Sequence, residues 1–167
     1  LSLVTRLLTI SPFRKNSQKH LLHRLIYRMS KSLIYLMFNV KKIYPNKAQL
    51  QLNKPAVIIA NHQSFLDIMM ILMLHPKIII MTNSWVWNSP IFGRFIRFAD
   101  FIPADAGAES SAEKLESLIH QGYSVMIFPE GTRSKNGKIA RFKKGAFYLA
   151  EKFNLDILPI IFHGTGD

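Results

Sequence analysis

The chain has 167 residues, 49% of them hydrophobic and 19% charged, and no cysteine. This composition suits one domain with a hydrophobic core, excludes a disordered chain, and leaves no disulfide, thiolate metal site or cysteine nucleophile. The net charge of +12 is unevenly spread: residues 1–54 hold eleven Lys and Arg and no acid, whereas the other eleven basic residues are balanced by ten acids.

In chain order, residues 1–20 read as a lead-in broken at Ser11-Pro12. Residues 21–43 form a basic amphipathic helical region, closed by Pro45 and Asn46. Leu22, Leu25, Ile26, Met29, Leu33, Leu36 and Met37 recur there at helical spacing, with His23, Arg24, Arg28 and Lys31 interspersed. A basic arm suits nucleic acid or an anionic membrane, and its Leu and Ile content favours the membrane surface, with the cations at the headgroups. The same pattern also fits a helix packed on its own domain with a solvated basic face. No stretch is apolar enough for a bilayer span of roughly 20 residues, and no signal peptide is expected. The chain does not start with Met and stops at His163-Gly164-Thr165-Gly166-Asp167. It is therefore expected to be a piece of a longer protein, incomplete at its C-terminus.

Beyond residue 54 the period changes. Ala56–Ala60 reads as a buried strand and Phe65–Leu74 as a helix stopped at His75-Pro76. Ile78–Met81 reads as a strand, followed by an aromatic-rich stretch, Trp85–Phe98, interrupted by Pro90 and Gly93. Asp100–Ile102 is a candidate short strand. Ser110 and Glu113 form a capping box for a helix ending at Gly122. Tyr123–Phe128 reads as a strand, Gly145–Phe153 as a helix and Ile157–Phe162 as a strand containing Pro159. This alternation predicts an α/β fold with a mostly parallel sheet flanked by helices.

Two strand ends carry chemistry, the expected place for a site in such a sheet. Asn61-His62-Gln63-Ser64-Phe65-Leu66-Asp67 follows the first strand. A histidine with an orienting carboxylate makes a general base. On a regular helix residues five apart diverge by about 140°, so His62 and Asp67 meet only if the chain turns at Gln63–Ser64. The bland alternative is a polar N-cap cluster, with Asn61 or Ser64 as the cap and Asp67 serving the helix dipole. Phe128-Pro129-Glu130-Gly131-Thr132-Arg133-Ser134 follows a second strand. It joins a carboxylate, a tight turn and a guanidinium suited to an oxyanion. Glu130 would fix that guanidinium or accept a substrate hydroxyl, and Lys135, Lys138, Arg141, Lys143 and Lys144 add positive potential. An exposed turn with a solvated charge run remains the alternative. Ser64 lacks a nucleophile elbow, the remaining histidines lack metal-ligand spacing, and no nucleotide glycine motif is present.

Together these blocks resemble the glycerolipid acyltransferase family, the 1-acylglycerol-3-phosphate acyltransferases. NHQSFLD matches its NHxxxxD block and FPEGTRS its FPEGTRS block. Phe142-Lys143-Lys144-Gly145 resembles the F-K-x-G that follows, and Leu158-Pro159-Ile160-Ile161 the fourth block. The likeness covers about residues 53–162 and implies a glycerol-3-phosphate acyltransferase-like fold. It implies residues 1–54 as a membrane-surface region and 55–167 as the catalytic domain, on the cytoplasmic face of a membrane. The implied reaction moves a fatty acyl group from acyl-CoA or acyl carrier protein to a lipid hydroxyl. It would proceed by direct attack, with His62 as base and Asp67 as its partner. Glu130, Gly131, Thr132, Arg133 and Lys143 would bind the acceptor; no metal, cofactor or nucleic acid is implied. One departure stands out. Ala104 occupies about the place of an arginine tied to acceptor phosphate in the family, so Arg94 or Arg97 would have to replace it. Otherwise the acceptor lacks a glycerol phosphate, as an amino-acid lipid or an aryl or polyene hydroxyl does. A non-catalytic lipid-binding module is the further alternative.

Overall fold

The computed structural model describes residues 12–38, 41, 43, 52–90, 93–104, 112–134 and 137–166. Five strands form one sheet in the order β3-β2-β4-β1-β5, and every neighbouring pair is parallel. These are β1 (Ala56–Ala60), β2 (Ile78–Thr82), β3 (Ile102–Pro103), β4 (Ser124–Ile127) and β5 (Asp156–Ile160). The helices are α1 (Pro12–Leu36), α2 (Phe65–Leu72), α3 (Ser84–Trp87), α4 (Gly93–Phe98), α5 (Ala112–His120) and α6 (Gly145–Lys152).

The central strands are apolar except for Ser124 and Thr82, because both faces are covered. All five residues of β1 are buried, and Ile78, Ile79, Ile80, Val125 and Met126 continue the core beside it. Pro159 has no N–H to give a ladder, and its strand lies at the sheet edge where that matters least. Gly122 takes φ +86 after α5, as a helix-ending glycine does. The Ser110 half of the expected capping box lies outside the described residues, as do Pro45 and Asn46.

Two readings of the N-terminal region change. Pro12 does not interrupt the helix but is its first residue, where a missing N–H costs nothing. The apolar positions divide between two faces rather than sharing one. Ile34 is buried, Leu22 and Ile26 pack against the core, and Ser30 sits over Met69 of α2. Leu21, Leu25, Met29, Leu33 and Leu36 lie exposed on the opposite side.

His23 is not a surface cation. It is buried, with Nε2 on the Ala99 carbonyl at 2.8 Å and Nδ1 on the Tyr123 hydroxyl at 2.8 Å. Burial lowers its pKa below 6.5; Lys19 and His20 push the same way, and Ala99 and Asp100 only partly oppose them. His75, which lines the same small cavity as His23, is also lowered, by burial and by Lys77. The unfolded chain then binds protons more readily than the folded one, so stability is complete above pH 6.5 and lost as pH falls through the lowered values. Urea unfolding should show a less stable protein at pH 5 than at pH 7, with a smaller difference in His23→Gln. An equal difference in both would contradict this assignment.

Candidate active site

Register brings the two motifs together. Ile59 of β1 pairs with Ile127 of β4, so the residues leaving the two strands, Asn61-His62 and Pro129-Glu130, emerge side by side. Asn61 fixes the first exit: its Nδ2 donates to the Phe162 carbonyl at 2.9 Å, and its Oδ1 accepts from Phe162 N at 2.8 Å. It therefore ties β1 to the segment after β5 and does not cap α2.

Ser64 is the cap. It starts α2 in extended conformation, and its side chain accepts from the Leu66 amide at 3.1 Å. Asp67, three residues on, completes a capping box. That turn swings Asp67 back to His62. Asp67 Oδ2 accepts from His62 Nδ1 at 3.0 Å, Gln63 N at 2.6 Å and Ser64 N at 2.8 Å. The carboxylate that closes the helix thus also holds the imidazole.

Asp67 is fully buried. Burial alone would raise its pKa, but the donors reverse this, His62 first, then Thr165 and the amides of Ser64 and Gln63, and hold it below 3.8. Thr165 acts from longer range: its hydroxyl bonds Gln63 Oε1 at 3.2 Å, and no donor among the described residues hydrogen-bonds the buried Oδ1. A carboxylate only accepts, so His62 Nδ1 carries the hydrogen and Nε2 presents a lone pair. The ring stacks on Phe128 at 3.9 Å and its side chain keeps 14% exposure, enough for a reactant to reach Nε2.

The second motif clamps His62 by its backbone. Glu130 Oε1 accepts from His62 N at 2.9 Å, and Oε2 accepts from Ala140 N at 2.8 Å. Ser134 N donates to the His62 carbonyl at 2.7 Å. Glu130 is buried and each of its oxygens accepts a backbone amide, and no ion pair joins it to Arg133 among the described residues. The expected pairing with the Arg133 guanidinium is replaced by these two backbone amides.

Gly131 turns at φ +74, and a Cβ there would lie 2.6 Å from Lys143 Nζ. The positive φ is what favours glycine there, since the exposed lysine side chain can move aside, and Lys143 is anchored by its N donating to Pro129 O at 2.8 Å. Thr132, Arg133 and Lys143 are exposed beside the clamp. Lys135 lies outside the described residues. Ala104 is exposed just past β3 and carries no charge to offer. Of the two arginines that could replace it, Arg97 has one guanidinium nitrogen donating to the Trp87 carbonyl at 2.7 Å, and the group lies 5.9 Å from that ring.

With this geometry, the acyltransferase family model matches residues 41–163. The chain belongs to the glycerolipid acyltransferase family. It is 38% identical over 116 residues to a chloroplastic 1-acyl-sn-glycerol-3-phosphate acyltransferase of Arabidopsis thaliana, covering 67% of this chain and 33% of that protein. It is 32% identical over 120 residues to 1-acyl-sn-glycerol-3-phosphate acyltransferase beta of Homo sapiens, covering 68% and 43%. The fold matches the 1-acyl-sn-glycerophosphate (LPA) acyltransferase PlsC of Thermotoga maritima with a TM-score of 0.70 and 25% identity, over 95% of this chain and 64% of that one. The chain spans a third to under half the length of these curated relatives.

Sequence reasoning missed several supporting residues of this candidate site. Phe128 sits inside the motif but reads as strand end, and Ser134 and Ala140 contribute only backbone amides, which leave no mark on residue identity. Asn83, whose Nδ2 reaches the Gly131 carbonyl at 3.4 Å, carries no motif at all.

Proposed function

We propose that the protein transfers a fatty acyl group from acyl-CoA or acyl carrier protein to the hydroxyl of a lysophospholipid or glycerolipid acceptor. The observation that carries this is His62 held by buried Asp67 at 3.0 Å with Nε2 left as base. His62 takes the acceptor's hydroxyl proton as the alkoxide oxygen attacks the thioester carbonyl. The tetrahedral intermediate collapses, the C–S bond breaks, and the thiolate leaves with the proton from the imidazolium. Asp67 stabilises the imidazolium between those steps. No acyl-enzyme forms, so no nucleophilic side chain is needed.

Arg133, exposed next to the His62 clamp, and Lys143 over Gly131 suit a phosphate on the acceptor. Arg133→Ala should raise KM for lysophosphatidic acid about tenfold or more and change kcat less. Steady-state kinetics check this; an unchanged KM would remove Arg133 from the acceptor site. Ala104 supports a second reading, in which the acceptor lacks a glycerol phosphate. Poor turnover of lysophosphatidic acid beside efficient turnover of a phosphate-free lipid alcohol favours that reading, and the reverse removes it.

The reaction would take place at the cytoplasmic face of a membrane. No described helix is long and apolar enough to cross one. Support comes from the outer face of α1, where Leu21, Leu25, Met29 and Leu33 repeat every four residues beside exposed Arg24, Arg28 and Lys31. Leu25→Glu with Leu33→Glu should weaken co-sedimentation with anionic vesicles by at least about tenfold. Binding that is unchanged would place that face elsewhere.

A further inference from the structure

A cavity of about 310 Å³ lies at the end of the sheet opposite His62. Tyr123, on its wall, precedes β4, whereas Phe128, stacked on His62, follows it. Five residues of strand put the two places roughly 16 Å apart. The acyl-transfer chemistry uses none of the cavity's residues. Its volume is at the lower end for small-molecule sites, too small for a two-chain lipid.

The wall is rich in hydrogen donors. Lys19 of α1 contacts Asp100 at 2.7 and 2.9 Å, and Lys114 of α5 contacts it at 3.2 Å. Asp100 is a buried carboxylate held at φ +55, a conformation that persists in a non-glycine residue where its surroundings impose it. One ammonium would neutralise it, so the second leaves a positive surplus around the cavity. Ser117 Oγ already accepts from Gln121 Nε2 at 3.3 Å, so its own hydrogen is free to donate. A chain of three groups orients His20. The Ala99 carbonyl only accepts, so His23 Nε2 carries a hydrogen, and neutral His23 takes the Tyr123 hydroxyl hydrogen at Nδ1. Tyr123, pushed up to about 12 by burial and by Asp100, stays protonated, and its oxygen accepts from His20 Nδ1 at 2.8 Å. Among the described residues Asp100 is the only acid in the wall, and it is already shared by two cations.

We propose that this cavity is a second binding site, for the phosphate group of a small soluble molecule. Lys19, Lys114 and the Ser117 hydroxyl would hold its oxygens, since several acceptor atoms on one anion match several donors on one wall. The site stands independently of the acyl-transfer reading.

Calorimetric titration of the full chain with inorganic phosphate, at ionic strength fixed with chloride, tests it. Saturable binding is expected. Lys114→Gln should weaken it about tenfold. Asp100→Asn should tighten it, because Asn tolerates the same backbone conformation and removes the competing charge. In an Arg133→Ala background, which removes the guanidinium suited to phosphate at the other end of the sheet, saturable binding should remain and Lys114→Gln should still weaken it. Circular dichroism verifies that each variant folds; a purely structural ion cluster would lose stability in Asp100→Asn without gaining phosphate affinity. Absence of saturable binding, weaker binding in Asp100→Asn, or loss in Arg133→Ala but not in Lys114→Gln would overturn the proposal.

Discussion

His62→Ala should lower kcat for acyl transfer about a thousand-fold while the protein stays folded. A positioned base contributes roughly 10²–10⁴, and neither neighbouring carboxylate duplicates it: Asp67 is fully buried and Glu130 has both oxygens engaged by amides. Folding should survive, because Asp67 keeps the Gln63 and Ser64 amides and so still closes α2. Asp67→Asn separates the two duties of that residue. The neutral amide oxygen can still accept from the backbone, but the negative charge that supports an imidazolium is gone. Activity should fall about a hundred-fold or more, with a smaller loss of thermal stability than Asp67→Ala. Kinetics and thermal unfolding of the three variants check this, and activity near wild type in His62→Ala would remove the proposed base.

Glu130→Gln should act on kcat rather than KM. The carboxylate bridges two N–H donors, His62 N at 2.9 Å and Ala140 N at 2.8 Å. The variant's NH₂ group would face one of those donors, leaving a part-buried amide unpaired at a cost of about 1 kcal/mol. If half of that loosens the His62 turn, the imidazole moves off its reacting position. Small misplacements are expensive in rate, so kcat should fall about ten- to hundred-fold with KM for the acceptor nearly unchanged and Tm lowered. A raised KM with unchanged kcat would instead restore Glu130 as an acceptor ligand, the role its motif first suggests.

The difference between motif and geometry at Glu130 shows where residue identity stops being informative. AVIIA is legible as a buried strand because a continuous β-branched run has few other homes, and the dyad is legible because its turn requires a capping Ser64 that the sequence supplies. The partners of Glu130 are backbone amides, one of them on Ala140, and no side chain announces them. Along α1, periodicity reports that apolar residues line the helix but not that they serve two faces. The division follows from packing, which takes Ile34 and Ser30 inward and leaves Leu25 and Leu33 out. His23 looks like one more basic residue in a basic arm until Tyr123, 100 residues later, takes up its ring nitrogen.

Release of free CoA from acyl-CoA, counted with and without a lipid hydroxyl acceptor, tests the His62–Asp67 mechanism most directly. Wild type should release CoA in step with ester formed, only when acceptor is present, and only with His62 intact. Equal acceptor-dependent release by His62→Ala, or a burst of CoA without acceptor that marks a covalent acyl-enzyme, would contradict it.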